Sequence, residues 1–406
     1  MRNKVVIITG VFIPEPVVSA GLMADLAEKM AEKYDVTVLR PHPTRPMGFK
    51  VPEYDTKKLP YEVVELDSYT CPASKLIGRF RESNSMGKAC LKYLEQHRGE
   101  LAFVYNGAWH LFGRKIIAEF CKKNHIPNVT PVQDIYPESL LSKLPKVGLV
   151  QKIATALLMP YDMATLHNAN RIHTISDGMR DYLAEHRGID KSRFVVVRNW
   201  QDERAFVNYR SEHQEEEVHP FTFMFMGNVG ALAGLEVVIE AFVKAGLKNA
   251  RLVIAGSGPA REALQKQAAE YKDYDIQFWD VPFGQVPASQ AKADVMLLPV
   301  KKGFARSSIP SKLPAYMFSA KPVLASVDGD SDSAKCILDA GAGWVCEPED
   351  VEALADAMKA CVGKDSETLK KMGEAGFAYA IEDFSRTKNL QKLSEACVSV
   401  IEKRVN

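Results

Sequence analysis

The sequence has no run of eighteen apolar residues, no C-x-x-C pair and almost no net charge, and each absence removes a class of protein. Without a long apolar run no transmembrane helix is expected. The first apolar stretch, Val5-Val6-Ile7-Ile8, is too short to span a bilayer and lacks the small-residue cleavage pattern of a secretory signal. The formal charge of +1 argues against a nucleic-acid partner. Seven cysteines are scattered at 71, 90, 121, 336, 346, 361 and 397, with no histidine cluster near them. An odd, dispersed set reads as buried thiols in a reducing compartment, with neither disulfides nor a metal centre. The expectation is a cytoplasmic chain that at most lies on a membrane surface.

What is present is a long α/β pattern. At 406 residues, 46% apolar and 25% charged, the chain has room for two or three domains. Val5–Thr9 reads as a buried strand closed by Gly10, followed by a helix with Leu22, Leu26 and Met30 on one face. Further strands are predicted near residues 36–39, 101–105, 129–133, 171–175 and 194–197. The polar stretch Glu203–Pro220, with its acidic run Glu215-Glu216-Glu217, reads as a linker. The pattern then restarts with apolar Phe221–Met226 and Gly227-Asn228-Val229-Gly230, then Arg251–Ala255 and Gly256-Ser257-Gly258-Pro259. Strands are also predicted near 294–299 and 322–326. Two Rossmann-like domains facing a cleft follow, 1–205 and 206–384, with a last helix in 385–406 joining the first domain.

Glycine at a strand end lets a ligand approach the backbone, and a helix start offers free N–H groups to a phosphate. Neither turn fits the dinucleotide fingerprint G-x-G-x-x-G with its downstream acid, so a plain strand-to-helix turn explains each equally well. The most informative stretch is Ala305–Ser326. There Arg306, Ser308, Ile309, Pro310 and Ser311 lead into a helix beginning near Lys312. Lys312 beside a helix start suits a diphosphate; a solvated lysine is the alternative. In the first half, Asp134 and Glu138 lie beyond a predicted strand end, where open α/β sheets bind ligands. They are candidates to accept or orient an acceptor hydroxyl, and a helix cap is the alternative for Asp134. His110 is a further candidate on that side, as are the small residues Ser19, Ala20 and Gly21 after the first strand.

Read together, these segments resemble family 4 of the retaining glycosyltransferases, and within it the bacterial surface-polysaccharide, fucosamine-transferase-like branch. The resemblance is carried by Val132–Ser139, His173–Met179, Arg198-Asn199-Trp200, Met226–Gly230, Gly256–Pro259, Ile309–Lys312 and Ala320-Lys321-Pro322-Val323. It covers nearly the whole chain and implies the GT-B fold. The implied activity is metal-independent, retaining transfer from a nucleotide-sugar, UDP-linked, to a glycan or polyprenyl-linked acceptor. No cofactor is implied. Gly227, Asn228, Gly230, Gly256, Gly258, Pro259, Phe283, Arg306 and Ser308–Lys312 are implied on the donor side, and Ser19, Ala20, Gly21 and His110 on the acceptor side.

The chain departs from the family in two places. The family's paired glutamates fall on Ser307 and Ala315, and its diphosphate-holding arginine and lysine fall on Asn228 and Ala233. Charge stabilisation of the leaving group must then come from elsewhere, and Lys312 is the nearest candidate, with Arg306, Lys301 and Lys302 behind it. Asp328-Gly329-Asp330, with Asp332, reads as a polar loop, a cation site being the alternative. Basic-apolar mixtures in 74–80 and 140–159 suit either half-buried helices or an anionic leaflet presenting a lipid-linked acceptor. Two other functions remain open: a non-catalytic partner subunit that binds nucleotide or acceptor, and a nucleotide-sugar epimerase of related build.

Overall fold

Val5, Val6, Ile7 and Ile8 are all fully buried, as a continuous apolar strand must be when helices cover both faces of its sheet. The computed structural model describes residues 3–45, 52, 54–71, 76–141, 148–213, 219–282, 284–304 and 309–402. The chain divides into Met1–Asn199 with Asn389–Asn406, the first domain, and Trp200–Lys388, the second.

The first domain is built on seven strands: β1 (Lys4–Thr9), β2 (Asp35–Pro41), β3 (Glu62–Leu66), β4 (Leu101–Gly107), β5 (Asn128–Val132), β6 (Arg171–Thr174) and β7 (Phe194–Val196). Their order is β3-β2-β1-β4-β5-β6-β7, with every pairing parallel. The second domain has six: β8 (Phe221–Met226), β9 (Ala250–Ala255), β10 (Asp275–Trp279), β11 (Val295–Pro299), β12 (Val323–Ser326) and β13 (Gly343–Cys346). These run β10-β9-β8-β11-β12-β13, again all parallel. Alternate strand residues feed opposite cores. Met224, Met296 and Val323 pack on one face, and Phe223, Phe225 and Leu297 on the other.

In both sheets the order reverses beside the first strand, between β1 and β4 and between β8 and β11. Connections leave to opposite sides at such a point, which opens a crevice at the carboxyl ends of the strands. The loops after β1, β4, β8 and β11 therefore define where each domain can bind a ligand.

The domain limits differ from the expected 205/206 and 384/385. Residues 200–205 belong with the second domain because Glu203 is buried there. Its carboxylate accepts from the Ser385 hydroxyl and Arg386 N–H at 2.8 Å each, and from the Thr387 hydroxyl at 2.8 Å. The expected linker also forms a helix, Arg204–Glu212, held by Phe206 packed on Phe318 at 5.9 Å between ring centroids. The last helix, Arg386–Glu402, starts in the second domain and continues into the first.

None of the seven cysteines is in a disulfide, and six of them are buried. Among the described residues no helix is long and apolar enough to cross a membrane.

Candidate functional site

In the second domain the turns after β8 and β9 interlock. The Val229 N–H donates to Ser257 O at 2.8 Å, and the Ala260 N–H returns to Val229 O at 3.0 Å. Gly227 and Gly256 both have positive φ, 151° and 119°. A side chain on Gly256 would strike the Gly227 carbonyl, and one on Gly227 would strike the Lys312 stem. These glycines therefore serve turn-on-turn packing, and their own N–H groups donate to Ala255 O at 3.0 Å and Trp279 O at 2.9 Å. Gly230, Gly258 and Pro259 lie in the same pair of turns, and Asn228 is exposed at the tip of the first.

Lys312 reaches this turn from beyond β11. It opens a two-turn helix, Lys312–Phe318, whose body from Leu313 to Phe318 is buried. The helix is anchored by Tyr316, whose hydroxyl accepts from Met226 N–H at 2.9 Å and donates to Met226 O at 2.8 Å, fastening it to the last residue of β8. The Lys312 stem runs along Gly227, and its ammonium lies 5.4 Å from the Phe225 ring centre. Among the described residues it has no carboxylate partner, and burial lowers its pKa from the ordinary lysine value. A cation held at the switch point with no internal counter-charge is an anion-binding feature.

Of the other expected charges, Lys301 pairs with Glu236 at 2.7 Å, while for Lys302 it is the backbone N–H, not the ammonium, that donates to Glu349 at 3.2 Å. Ala233, at the position of the family's lysine, is buried in the core. Ala315, at the position of one family glutamate, is buried as well. Asp328 is buried, and its two carboxylate oxygens accept from the Gly303 N–H at 3.1 and 2.9 Å, so it holds the loop after β11. Ile309 packs against the core, and Pro310 and Ser311 follow it into the helix. Phe283, Arg306, Ser307 and Ser308 lie outside the described residues. Arg261 was not anticipated: it donates to the carbonyls of Gly256 and Trp279 and pairs with Asp280 at 2.8 Å, tying the ends of β9 and β10 together. Nothing in its sequence context marks it, because its partners are backbone oxygens.

In the first domain, the helix Val18–Ala31 starts behind the β1 loop without a side-chain cap and without an acid in its first turn. The Ala20 N–H turns back to Val17 O at 3.0 Å, so the N–H groups ahead of it are the ones an anion could meet. Ser19, Ala20 and Gly21 occupy that first turn; a Cβ on Gly21 would meet only open space, so no packing demands glycine there. Glu15 accepts from the N–H groups of Phe12, Thr44 and Arg45 at 2.9, 2.8 and 2.7 Å, joining the loops after β1 and β2.

The loops after β4 and β5 meet where the His110 ring stacks on Tyr136, 4.1 Å between centroids and 13° from parallel. Burial, with Arg114 nearby, pushes the His110 pKa well below the usual histidine range, so the imidazole is neutral at physiological pH. Asp134 is exposed two residues beyond β5, with no hydrogen-bond partner among the described residues. Arg114, which the sequence pattern concealed in an amphipathic helix, is buried beneath them and donates to Ala108 O at 2.9 Å. Burial lowers its pKa to about 10 despite the fields of Asp162, Tyr105, Tyr136 and Asp134.

Glu138 is placed differently from Asp134. Both its oxygens accept from Arg187, at 2.7 and 2.8 Å, and one accepts from the Tyr182 hydroxyl at 3.1 Å. Arg187 is buried and also pairs with Asp162 at 2.8 Å. Burial pulls the Arg187 pKa down, and its bonds to Glu138 and Asp162 outweigh that and raise it. A carboxylate so engaged fixes the loop after β5 and is poorly placed to take a proton.

Comparison with known proteins agrees with this geometry. Residues 22–204 match the family model described as Glycosyltransferase Family 4, and residues 220–364 match that described as Glycosyl transferases group 1. The chain is 26% identical over 280 residues to the probable glycosyltransferase WbjE of Pseudomonas aeruginosa, covering 66% of each. It is 26% identical over 223 residues to the putative colanic acid biosynthesis glycosyl transferase WcaI of Escherichia coli K12, covering 53% of this chain and 54% of the relative. The match thus spans less than two thirds of each curated relative's length. In fold it resembles Anabaena Alr3699/HepE solved with UDP, with a TM-score of 0.66, 13% identity and coverage of 98% and 100%. It also resembles the sucrose-phosphate synthase of Thermosynechococcus elongatus, with a TM-score of 0.71, 13% identity and coverage of 99% and 100%. The two parallel Rossmann-like sheets have the GT-B architecture, and the two family matches, which together take in most of the chain's length, support a glycosyltransferase of the family 4 type.

Proposed function

We propose that the chain is a metal-independent, retaining glycosyltransferase that moves a sugar from a UDP-linked donor to a glycan or polyprenyl-linked acceptor in surface-polysaccharide synthesis. The printed roles of its polysaccharide-synthesis relatives support the acceptor class, and the UDP complex of a fold neighbour supports the base. The observation that carries the reading is Lys312, a cation without a carboxylate partner laid across the Gly227 turn. When the bond between the anomeric carbon and the donor phosphate oxygen breaks, negative charge grows on the departing diphosphate. Lys312 stabilises that charge in a desolvated place where it counts for most. On the first domain, Asp134 receives the acceptor hydroxyl, while neutral His110 and Arg114 shape its pocket. Glu138 positions the loop that carries Asp134.

Lys312→Ala is expected to lower turnover at least about a hundredfold. The measurement is release of nucleotide from a panel of sugar donors that includes a fucosamine donor, after UDP and GDP binding has been established by calorimetry. Near-normal turnover in the variant overturns the assignment. A second reading, a non-catalytic partner subunit, draws on buried Ala315 standing where the family has a glutamate. Nucleotide binding by the native chain without turnover on any donor and acceptor decides for it.

The same proposal places the chain against an anionic leaflet. Leu76 and Ile77 are exposed at the start of one helix, and Ile153 and Leu157 on another. Phe80 on Phe112 and Phe112 on Tyr161, at 5.5 and 4.6 Å, link the two helices through the helix Phe112–Lys123.

A further inference from the structure

The second domain contains a cavity of about 620 Å³ that the donor reading leaves without a role. Its position sets it apart from the donor turns. His219 precedes β8, Asp294 precedes β11, and Lys321 and Pro322 precede β12, so the cavity lies at the amino ends of the strands. Gly227, Gly256 and Lys312 stand at the opposite edge of the same sheet.

The walls are strongly cationic. Arg210, Lys292, Lys321 and Lys370 line the cavity with His213 and His219, against the carboxylates of Asp294 and Glu374. Asp294 already accepts from the Thr222 N–H at 2.7 Å and lies 3.6 Å from the His219 ring. Glu374 is taken by Arg210 Nη2 at 2.6 Å. The Arg210 guanidinium is fixed further by lying 4.0 Å from the Phe377 ring centre. Its other nitrogen, Nη1, is buried without a hydrogen-bond partner among the described residues. A guanidinium held in place with a buried donor unspent, in a cavity that also carries Lys292 and Lys370, is arranged for an oxyanion. Phe206, Pro287 and Leu369 supply an apolar wall beside it. The volume falls within the range of small-ligand pockets.

We propose that this cavity is a second binding site for a small organic phosphate, its phosphoryl group held by Arg210 with Lys292 and Lys370. The phosphate takes the free Arg210 donor, and the carbon skeleton rests on the apolar wall.

The probe is inorganic pyrophosphate, titrated calorimetrically into the full chain carrying Lys312→Met so that the donor side is weakened. Lys292 and Lys370 are exposed, so Lys292→Glu with Lys370→Glu alters the cavity charge without touching the core. Pyrophosphate is expected to bind the Lys312→Met protein, and the added pair to weaken that binding at least about tenfold at an unchanged melting temperature. No binding by the Lys312→Met protein, or binding unaffected by the charge reversals, overturns the proposal. Should the double reversal not fold, Lys370→Glu alone is read in the same way, with a smaller loss expected.

Discussion

Lys312→Met separates the contribution of the Lys312 charge from that of its stem. Methionine keeps an unbranched chain over Gly227 and beside Phe225, and removes only the ammonium. Because burial lowers the Lys312 pKa, the empty fold holds this proton less tightly than the unfolded chain does. The charge therefore costs stability at neutral pH, and the cost is relieved as pH rises through the lowered pKa towards 10.5, the ordinary value. Replacing such a charge with an apolar residue is expected to stabilise the empty protein by about 1–2 kcal/mol. For a domain of this size that raises the melting temperature by roughly 2–4 °C per kcal/mol. The gap between variant and native protein should be widest near neutral pH and close as pH rises. UDP binding should move the opposite way, weakening by about 3 kcal/mol, or about a hundredfold, because the diphosphate loses its charged partner. Scanning calorimetry without ligand and titration with UDP read the two effects separately. A variant that melts lower than the native protein and binds UDP equally well would refute the reasoning, since Lys312 would then be an ordinary structural lysine.

Four further outcomes are expected. UDP affinity of the native protein should fall with rising pH from a point below the ordinary lysine pKa, and this decline should be absent from Lys312→Met; titration across the alkaline range checks it. Glu138→Gln should cost about 1–3 kcal/mol in denaturant unfolding, because Arg187 loses a charged partner, while turnover stays within a fewfold of native. His173 is buried between the Tyr105 hydroxyl and Val197 O at 2.9 Å each, with its pKa lowered to about 4. The first domain should thus lose up to about 3 kcal/mol as pH falls from about 6.5 towards 4, and His173→Gln should flatten that profile in pH-resolved melts. Ile77→Asp with Leu157→Asp should abolish co-flotation with anionic liposomes, and absence of flotation by the native protein would remove the membrane proposal.

The central strands were legible because both of their faces are buried: Val5–Ile8 is apolar throughout, and Phe221–Met226 is apolar but for Thr222. Of the edge strands only β7, Phe194–Val196, was legible, because it is apolar throughout. β3 reads Glu-Val-Val-Glu-Leu, β10 begins with an aspartate and β13 with a glycine, and most of their residues are only partly buried. A strand covered on one side has no continuous apolar run to announce it. The polar segment read as a linker shows the same limit from the other direction. One fully buried residue, Phe206, docks the helix with half-buried Tyr209 and Arg210 beside it, and a lone apolar anchor in a charged stretch carries no periodicity.

At the site, the types of residue were legible and their commitments were not. Glu138 and Asp134 are both acids just past β5, yet one meets Arg187, which arrives from a helix 49 positions downstream, and the other meets no described partner. Lys301 and Lys312 are both lysines beyond β11, yet only the first has a glutamate within reach. Which charge is free depends on partners that sequence distance hides, and the free charge is the one a ligand can use. The glycines make the complementary point. Gly227 and Gly256 would be required in this pair of turns even if no phosphate ever bound, since each makes room for a neighbouring backbone or side chain. Their presence therefore argues for the shape of the turn, and the argument for a diphosphate rests on the lysine laid across it.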